Sequence, residues 1–271
     1  IGVRLVGSEM CIRDSFRISE RIKKVEMETE NKLSSIYNQY LVGLDEKHVA
    51  ARYKDNSWFH SSSAGLCARK HYFSRRVDAS ERKPVDENTR RLFRLGNLVH
   101  KDVQNAVTDH AVQYGLPLLI EKEIYLEDLN VRGFIDLALL DAEGDDHVLY
   151  DIKTCNSYKW RGMFGRKKDA NPSTNYQLQL ATYGLWAKRF YELESISMKI
   201  CYYNKDNSNM REVDIGEEFI DEAMIYWTTV NELVKNDNMP DVNLGISPVY
   251  KWECNEKYCQ FYEPCGGGLN G

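Results

Sequence analysis

The chain has 271 residues, 42% of them hydrophobic and 28% charged, with a net charge of −5. That length suffices for one substantial core, at most two, and the composition is that of a globular protein, which excludes a disordered or fibrous chain. No stretch nears the roughly 20 apolar residues of a bilayer span and no secretory leader is visible, so an intracellular protein without membrane segments is expected.

In chain order, residues 1–15 fit nothing that follows and are set aside as an artefact or a disordered end. Residues 16–60 read as an N-terminal helical segment, since Leu33, Ile36, Tyr37, Tyr40 and Leu41 recur at helical spacing. Ser61 to Ser63 offers an N-cap for a short helix carrying Leu66, Cys67, Tyr72 and Phe73. Pro84 breaks the chain. Asp86 then caps a long helix to about Tyr114, with Leu92, Leu95, Val99, Val103, Ala106 and Val107 as its apolar stripe and Gly115 as its stop.

Three strand-like runs follow: Leu118 to Leu126, Val131 to Leu140 and His147 to Lys153. The polar, basic segment from Asn156 to Thr174 reads as a loop. A helix from about Asn175 to Tyr191, strands near Ile196 to Tyr203 and Glu212 to Ile215, and a helix from about Glu217 to Val234 complete the set. The order predicts an α/β fold, a mixed central β-sheet flanked by helices, in one domain. Residues 266–271, rich in glycine, read as a flexible tail or a truncated gene end.

Chemistry enters through the strands. Alternation points Asp151 and Lys153 to the same face, and Asp136 sits between Ile135 and Leu137 in a run apolar on both faces. A buried carboxylate there needs a partner. Either Lys153 supplies it as an ion pair, or the acids share a divalent cation with the lysine beside it. The second arrangement suits phosphodiester hydrolysis, because Mg²⁺ takes one or two carboxylates and lowers the pKa of bound water.

Gly133-Phe134-Ile135-Asp136 followed by Asp151-Ile152-Lys153 resembles the core motif of the PD-(D/E)XK nucleases. Gly96 to His100 and Gln179 to Tyr183 resemble the G-x-x-x-H and Q-x-x-x-Y helices of their RecB-like branch, and Glu123 stands where these enzymes often carry an acid. The resemblance implies a restriction-endonuclease-like core. It implies that His100, Asp136, Asp151 and the backbone carbonyl of Ile152 bind Mg²⁺ or Mn²⁺, that Lys153 acts on the water and the scissile phosphate, and that Gln179 and Tyr183 position the strand.

Seven cysteines in an intracellular chain point to metal before disulfides. Ser62 to Arg69, with Cys67, Cys254, Cys259 and Cys265, resembles the iron–sulfur RecB-type nucleases, a group that includes CRISPR-adaptation exonucleases and the AddB nuclease domain. The implied domain runs over residues 61–265, with a cysteine-ligated 4Fe–4S cluster joining its N- and C-terminal parts and Trp252, Tyr258 and Phe261 as its shield. The gap between Cys254 and Cys259 is longer than in that group, which leaves Zn²⁺ as the alternative. Cys155 and Cys201 read as small core residues.

The same resemblance implies a DNA exonuclease acting on single-stranded ends, 5′ to 3′, with a helicase or recombination partner in DNA repair or recombination. A non-catalytic DNA-binding or scaffold subunit is the alternative, and RNA remains a further substrate class. Arg69, Lys159, Arg161, Arg166, Lys167 and Lys168 are the candidate DNA contacts, equally readable as a solvated lid.

Overall fold

The computed structural model describes residues 32–52, 57–78, 82–140, 147–166, 174–241 and 253–267. The expectations for residues 1–15, Lys167, Lys168, Trp252 and residues 268–271 lie outside them. The chain divides into two compact units. One holds residues 1–54 with 86–91; the other holds residues 55–85 and 92–271.

In the first unit, helix α1 (Leu33–Arg52) is joined to residues 86–91 by Arg90, whose guanidinium lies 2.6 Å from the Asp45 carboxylate. In the second, a two-residue strand β1 (Phe59–His60) leads into a 3₁₀ turn (Ser61–Ser63) and a short helix α2 (Ala68–Ser74). Ser61 to Ser63 is thus a turn of its own, and Cys67 occupies the N-cap position of α2. The long helix α3 (Glu87–Tyr114) starts at Asp86, which accepts a hydrogen bond from the Thr89 N–H at 3.0 Å, and stops at Gly115 with φ +67°.

The expected apolar stripe of α3 is not its buried face. Leu92 and Leu95 are exposed, whereas Gln104 and Ala111 are the fully buried positions. The inner face carries Gly96, His100 and Gln104, one helical turn apart, because it covers a polar site.

Strands β2 (Leu118–Leu126), β3 (Val131–Leu139), β4 (Val148–Cys155), β5 (Ser197–Asn204) and β6 (Met210–Ile215) complete a mixed six-stranded sheet with β1. β4 and β5 are parallel, and the crossover between them carries helices α4 (Ser157–Phe164) and α5 (Thr174–Tyr191). The segment read as a loop therefore begins with a helix. Its N-cap is Asn156, whose side chain accepts from the Lys159 N–H. Helix α6 (Glu218–Lys235) follows β6.

α5 is buried from Leu178 through Ala187, on every side, as befits a helix enclosed by the sheet and its neighbours. Trp227 of α6 is fully buried and its indole N–H donates to Thr182 Oγ1 at 2.9 Å. His71, Phe59, Tyr226 and Trp227 pack as an aromatic cluster, with His71 Nε2 2.8 Å from the Tyr226 hydroxyl. Cys155 and Cys201 are buried in strands, as small hydrophobes. Among the described residues no helix is long and apolar enough to cross a membrane.

Candidate active site

The site grows out of one irregularity in the sheet. β2 pairs along β3 from Leu118↔Leu139 to Leu126↔Val131. The opposite edge of β3 is divided: β4 pairs only with Leu137–Leu139, and β1 only with Val131 and Arg132. Among the described residues, 133–136 are left without a strand on that side. Polar groups from other elements enter this gap.

Asp136, 9% exposed, uses its side chain where the ladder would have continued: Oδ2 accepts from the Ile152 N–H at 2.8 Å. Nδ1 of His100 approaches the same oxygen to 3.6 Å, too long for a hydrogen bond. Asp151 is wholly buried. Its Oδ1 accepts from Lys153 Nζ at 2.8 Å and from Gln179 Nε2 at 3.1 Å. The Lys153 ammonium also lies 2.7 Å from Oδ2 as an ion pair, and that oxygen has no further hydrogen bond among the described residues.

The second layer is a chain of hydrogen bonds. Gln179 Nε2 also donates to the Tyr183 hydroxyl at 3.0 Å, and Ser61 Oγ donates to that hydroxyl at 3.0 Å. Gly133 makes this layer possible. A Cβ there would stand 2.8 Å from both Ser61 Cβ and Tyr183 Cε1. Ser61, buried at the end of β1, was not singled out from the sequence; nothing distinguishes it there from Ser62 and Ser63.

On the other edge of β3, the β2 register skips one pair, Glu121 opposite Asp136, because Glu121 adopts φ +49°. A buried amide fills that gap: Gln104 Nε2 donates to the Asp136 carbonyl at 3.0 Å and to the Glu121 carboxylate at 2.8 Å. A left-handed non-glycine residue costs free energy and persists where its surroundings hold it. The expected acid, Glu123, lies two residues further on, and its carboxylate stands 3.9 Å from Arg132. Glu121, not Glu123, is the β2 acid opposite Asp136. A break in a ladder leaves no trace in residue spacing.

The electrostatics favour a cation. Burial pushes the Asp151 carboxyl up to about 7, with Asp136 adding to the rise and Lys153 opposing it. Burial also works against the Lys153 ammonium, but Asp151 and Asp136 outweigh it and raise its pKa, so the lysine stays charged. Burial lowers the His100 pKa, and Lys153 acts the same way against the pull of Asp136. A neutral imidazole is the form that ligates metal. Among the described residues no three acidic, histidine or cysteine side chains surround one point closely enough to hold a metal ion as they stand. The buried Asp151 Oδ2, met only by the Lys153 ammonium among the described residues, with Asp136 Oδ2 and the His100 imidazole beside it, nonetheless makes a donor set of the kind hard divalent cations take.

The cysteines form a separate place. Cys67, Cys254, Cys259 and Cys265, none of them in a disulfide among the described residues, line one cavity of about 20 Å³ together with Arg69, Lys70, Glu253 and Phe261. Burial pushes the Cys67 thiol up to about 11 and raises Cys259. The buried Glu253 ties this corner together: Oε1 accepts from the Cys67 N–H at 3.0 Å and pairs with Lys70 at 2.7 Å, while Oε2 has no hydrogen bond among the described residues. Four thiols on one cavity, with Arg69 Nη1 reaching Cys265 Sγ at 3.5 Å, fit a thiolate-bound group. Phe261 is buried beside them and Tyr258 is exposed.

Of the candidate DNA contacts, Arg69 is committed here, donating also to the Pro240 carbonyl at 2.9 Å. Arg161 and Arg166 are exposed at the end of α4, and Lys159 sits on its first turn.

Residues 103–266 match the family model of the PD-(D/E)XK nuclease superfamily. The crystal structure of SSO0001 is similar with a TM-score of 0.53 at 17% identity, covering 88% of this chain and 100% of that one, a likeness of fold. A provisionally assigned exonuclease from Eubacterium rectale is 12% identical with a TM-score of 0.44, covering 72% of this chain and 87% of that one. No curated protein matches in sequence.

Proposed function

The chain belongs to the PD-(D/E)XK nuclease superfamily, and from that premise we propose that it is a RecB-like, iron–sulfur deoxyribonuclease that hydrolyses single-stranded DNA from its ends. One observation carries the reading: Asp136, Asp151, Lys153 and His100 meet where β3 lacks a strand on one edge. His100, Asp136, Asp151 and the carbonyl of Ile152 are the groups that would hold Mg²⁺ or Mn²⁺. When bound, the cation supplies Lewis acidity to the phosphate and a more acidic water.

The residues divide the remaining work. Lys153, kept as an ammonium by two carboxylates, cannot take a proton near neutral pH. It acts as a fixed positive charge that orients the attacking water and stabilises charge gathering on the phosphate. Gln179 holds Asp151 in register, and Tyr183, braced by Ser61, holds Gln179. Glu121 adds negative charge opposite Asp136 and is held there by Gln104. At the cysteines the resemblance favours a 4Fe–4S cluster, with Zn²⁺ as the alternative; the support is that four thiols line one cavity.

The test is cleavage of single-stranded DNA labelled at either end, with Mn²⁺, by wild type and Lys153→Ala, with RNA in parallel. Loss of a Mn²⁺-dependent activity in the variant supports the enzyme, and the label released first gives the polarity. Equal activity in both proteins removes the assignment, and DNA binding without cutting leaves a scaffold subunit. Anaerobic purification with an absorbance spectrum and iron, sulfide and zinc analysis decides the cysteine-bound group.

A further inference from the structure

We propose that Lys159, held on the ring of Tyr176, is the cation of a second phosphate subsite, one that grips the phosphate next to the scissile one on the same strand. The inference rests on the nuclease reading of the site and extends it from one phosphate to two.

The ring of Tyr176 carries two ammonium groups. Lys153 Nζ lies 5.1 Å from its centroid and Lys159 Nζ 4.1 Å, so the two charges are no further apart than the sum of those distances. Their charges are balanced differently. Lys153 has the Asp151 carboxylate at 2.7 Å. Among the described residues Lys159 has no carboxylate within the 4.0 Å of an ion pair. An aromatic face attracts a cation without neutralising it, so among the described residues Lys159 keeps an uncompensated positive charge on the ring that Lys153 also meets. Such a charge favours an anion beside it.

Lys159 is also held in place, unlike a lysine free in solvent. It is half-buried on α4, whose N-terminus is anchored twice: Asn156 accepts from the Lys159 N–H at 2.9 Å, and Asp206 accepts from the Ser157 N–H at 2.7 Å. The other end is held by a ring contact to the sheet, with Phe164 5.6 Å from Tyr202 of β5. These caps also occupy backbone donors of the helix start, so the side chain, not the helix end, meets the anion. Tyr176 is then a positioning residue. It fixes the ammonium and needs no hydroxyl to do so.

The experiment is binding of a fluorescent oligo(dT) strand by the full chain in EDTA, followed by anisotropy across a range of NaCl concentrations. Neutralising one single-strand phosphate contributes about 0.7 to the slope of log K against log salt. Lys159→Gln is expected to lower the slope by about that amount and Tyr176→Leu to move it the same way, while Tyr176→Phe keeps the wild-type value. A wild-type slope in Lys159→Gln overturns the subsite, as does a wild type that does not bind the strand. The two readings separate cleanly. Cleavage with an unchanged slope removes the subsite and leaves the nuclease, whereas the expected slopes without Mn²⁺-dependent cleavage do the reverse.

Discussion

Adding one methyl group at Gly133 should damage both stability and catalysis, although this residue makes no polar side-chain contact. The new carbon would stand 2.8 Å from Ser61 Cβ and from Tyr183 Cε1, and closer still to Ser61 Oγ. Carbon atoms pack comfortably at about 3.5–4.0 Å, so Ser61 or Tyr183 must retreat by most of an ångström. Both are buried, and neither is the free end of a flexible chain. Overpacking of this kind costs about 1–3 kcal/mol, and loss of the Ser61–Tyr183 hydrogen bond adds about 1 kcal/mol. The gain from replacing a strand glycine by alanine offsets about 0.5–1 kcal/mol. A net loss of about 2 kcal/mol, at a urea slope near 3 kcal/mol per molar, lowers the unfolding midpoint by roughly 0.7 M. Because Tyr183 holds Gln179 and Gln179 holds Asp151, cleavage should fall further than stability explains. Gly43→Ala is the control, since its methyl would meet nothing within 4 Å. Should Gly133→Ala unfold at the wild-type midpoint and cut at the wild-type rate, the proposed bracing of the site by Ser61 and Tyr183 is wrong.

Other consequences can be measured on the same preparations. Burial, helped by Arg75, lowers the His71 pKa from 6.5 to about 3, so the unfolded chain binds this proton first as pH falls. The contribution is complete above pH 6.5 and is lost toward pH 3, at about 1.4 kcal/mol per pH unit; His71→Gln should flatten the fall in urea stability between pH 6.5 and pH 4.5. Thr182→Val removes the acceptor of the buried Trp227 indole N–H and should cost about 1–3 kcal/mol in a urea melt, whereas an unchanged midpoint would mean that the indole finds another acceptor. Lys70→Met strands the Glu253 carboxylate, 1% exposed, and should destabilise by on the order of 3 kcal/mol in a urea melt; an unchanged midpoint would mean that the Cys67 amide alone suffices to hold it.

What the sequence revealed, it revealed through periodicity. The alternation in β4 put Asp151 and Lys153 on one face, and their side chains are hydrogen-bonded. An acid enclosed by Ile135 and Leu137 signalled a buried carboxylate, and Asp136 is nearly inaccessible. Periodicity also misled. Leu92 and Leu95 looked like the inner face of α3 but lie outside, because that helix turns a glycine, a histidine and a glutamine toward the sheet. The helix at Ser157–Phe164 was obscured by its charged and glycine residues, although Asn156 stood ready as its cap. The β1 strand, two residues long, is too short for any pattern. Gln104, Glu121 and Ser61 depend on a skipped ladder pair, a left-handed backbone and a missing Cβ, none of which leaves a trace in residue spacing.

The Glu253 link has a temporal consequence. Its carboxylate closes on the Cys67 backbone across 186 positions of chain, so the corner around α2 cannot be completed until Glu253 has been made. During synthesis Lys70 and the Cys67 amide wait for an acceptor that leaves the ribosome late. Contacts of such long sequence separation form slowly. The cysteine corner therefore closes after the contacts local to α2, and its thiols stay open to oxidants or stray metal until Glu253 arrives.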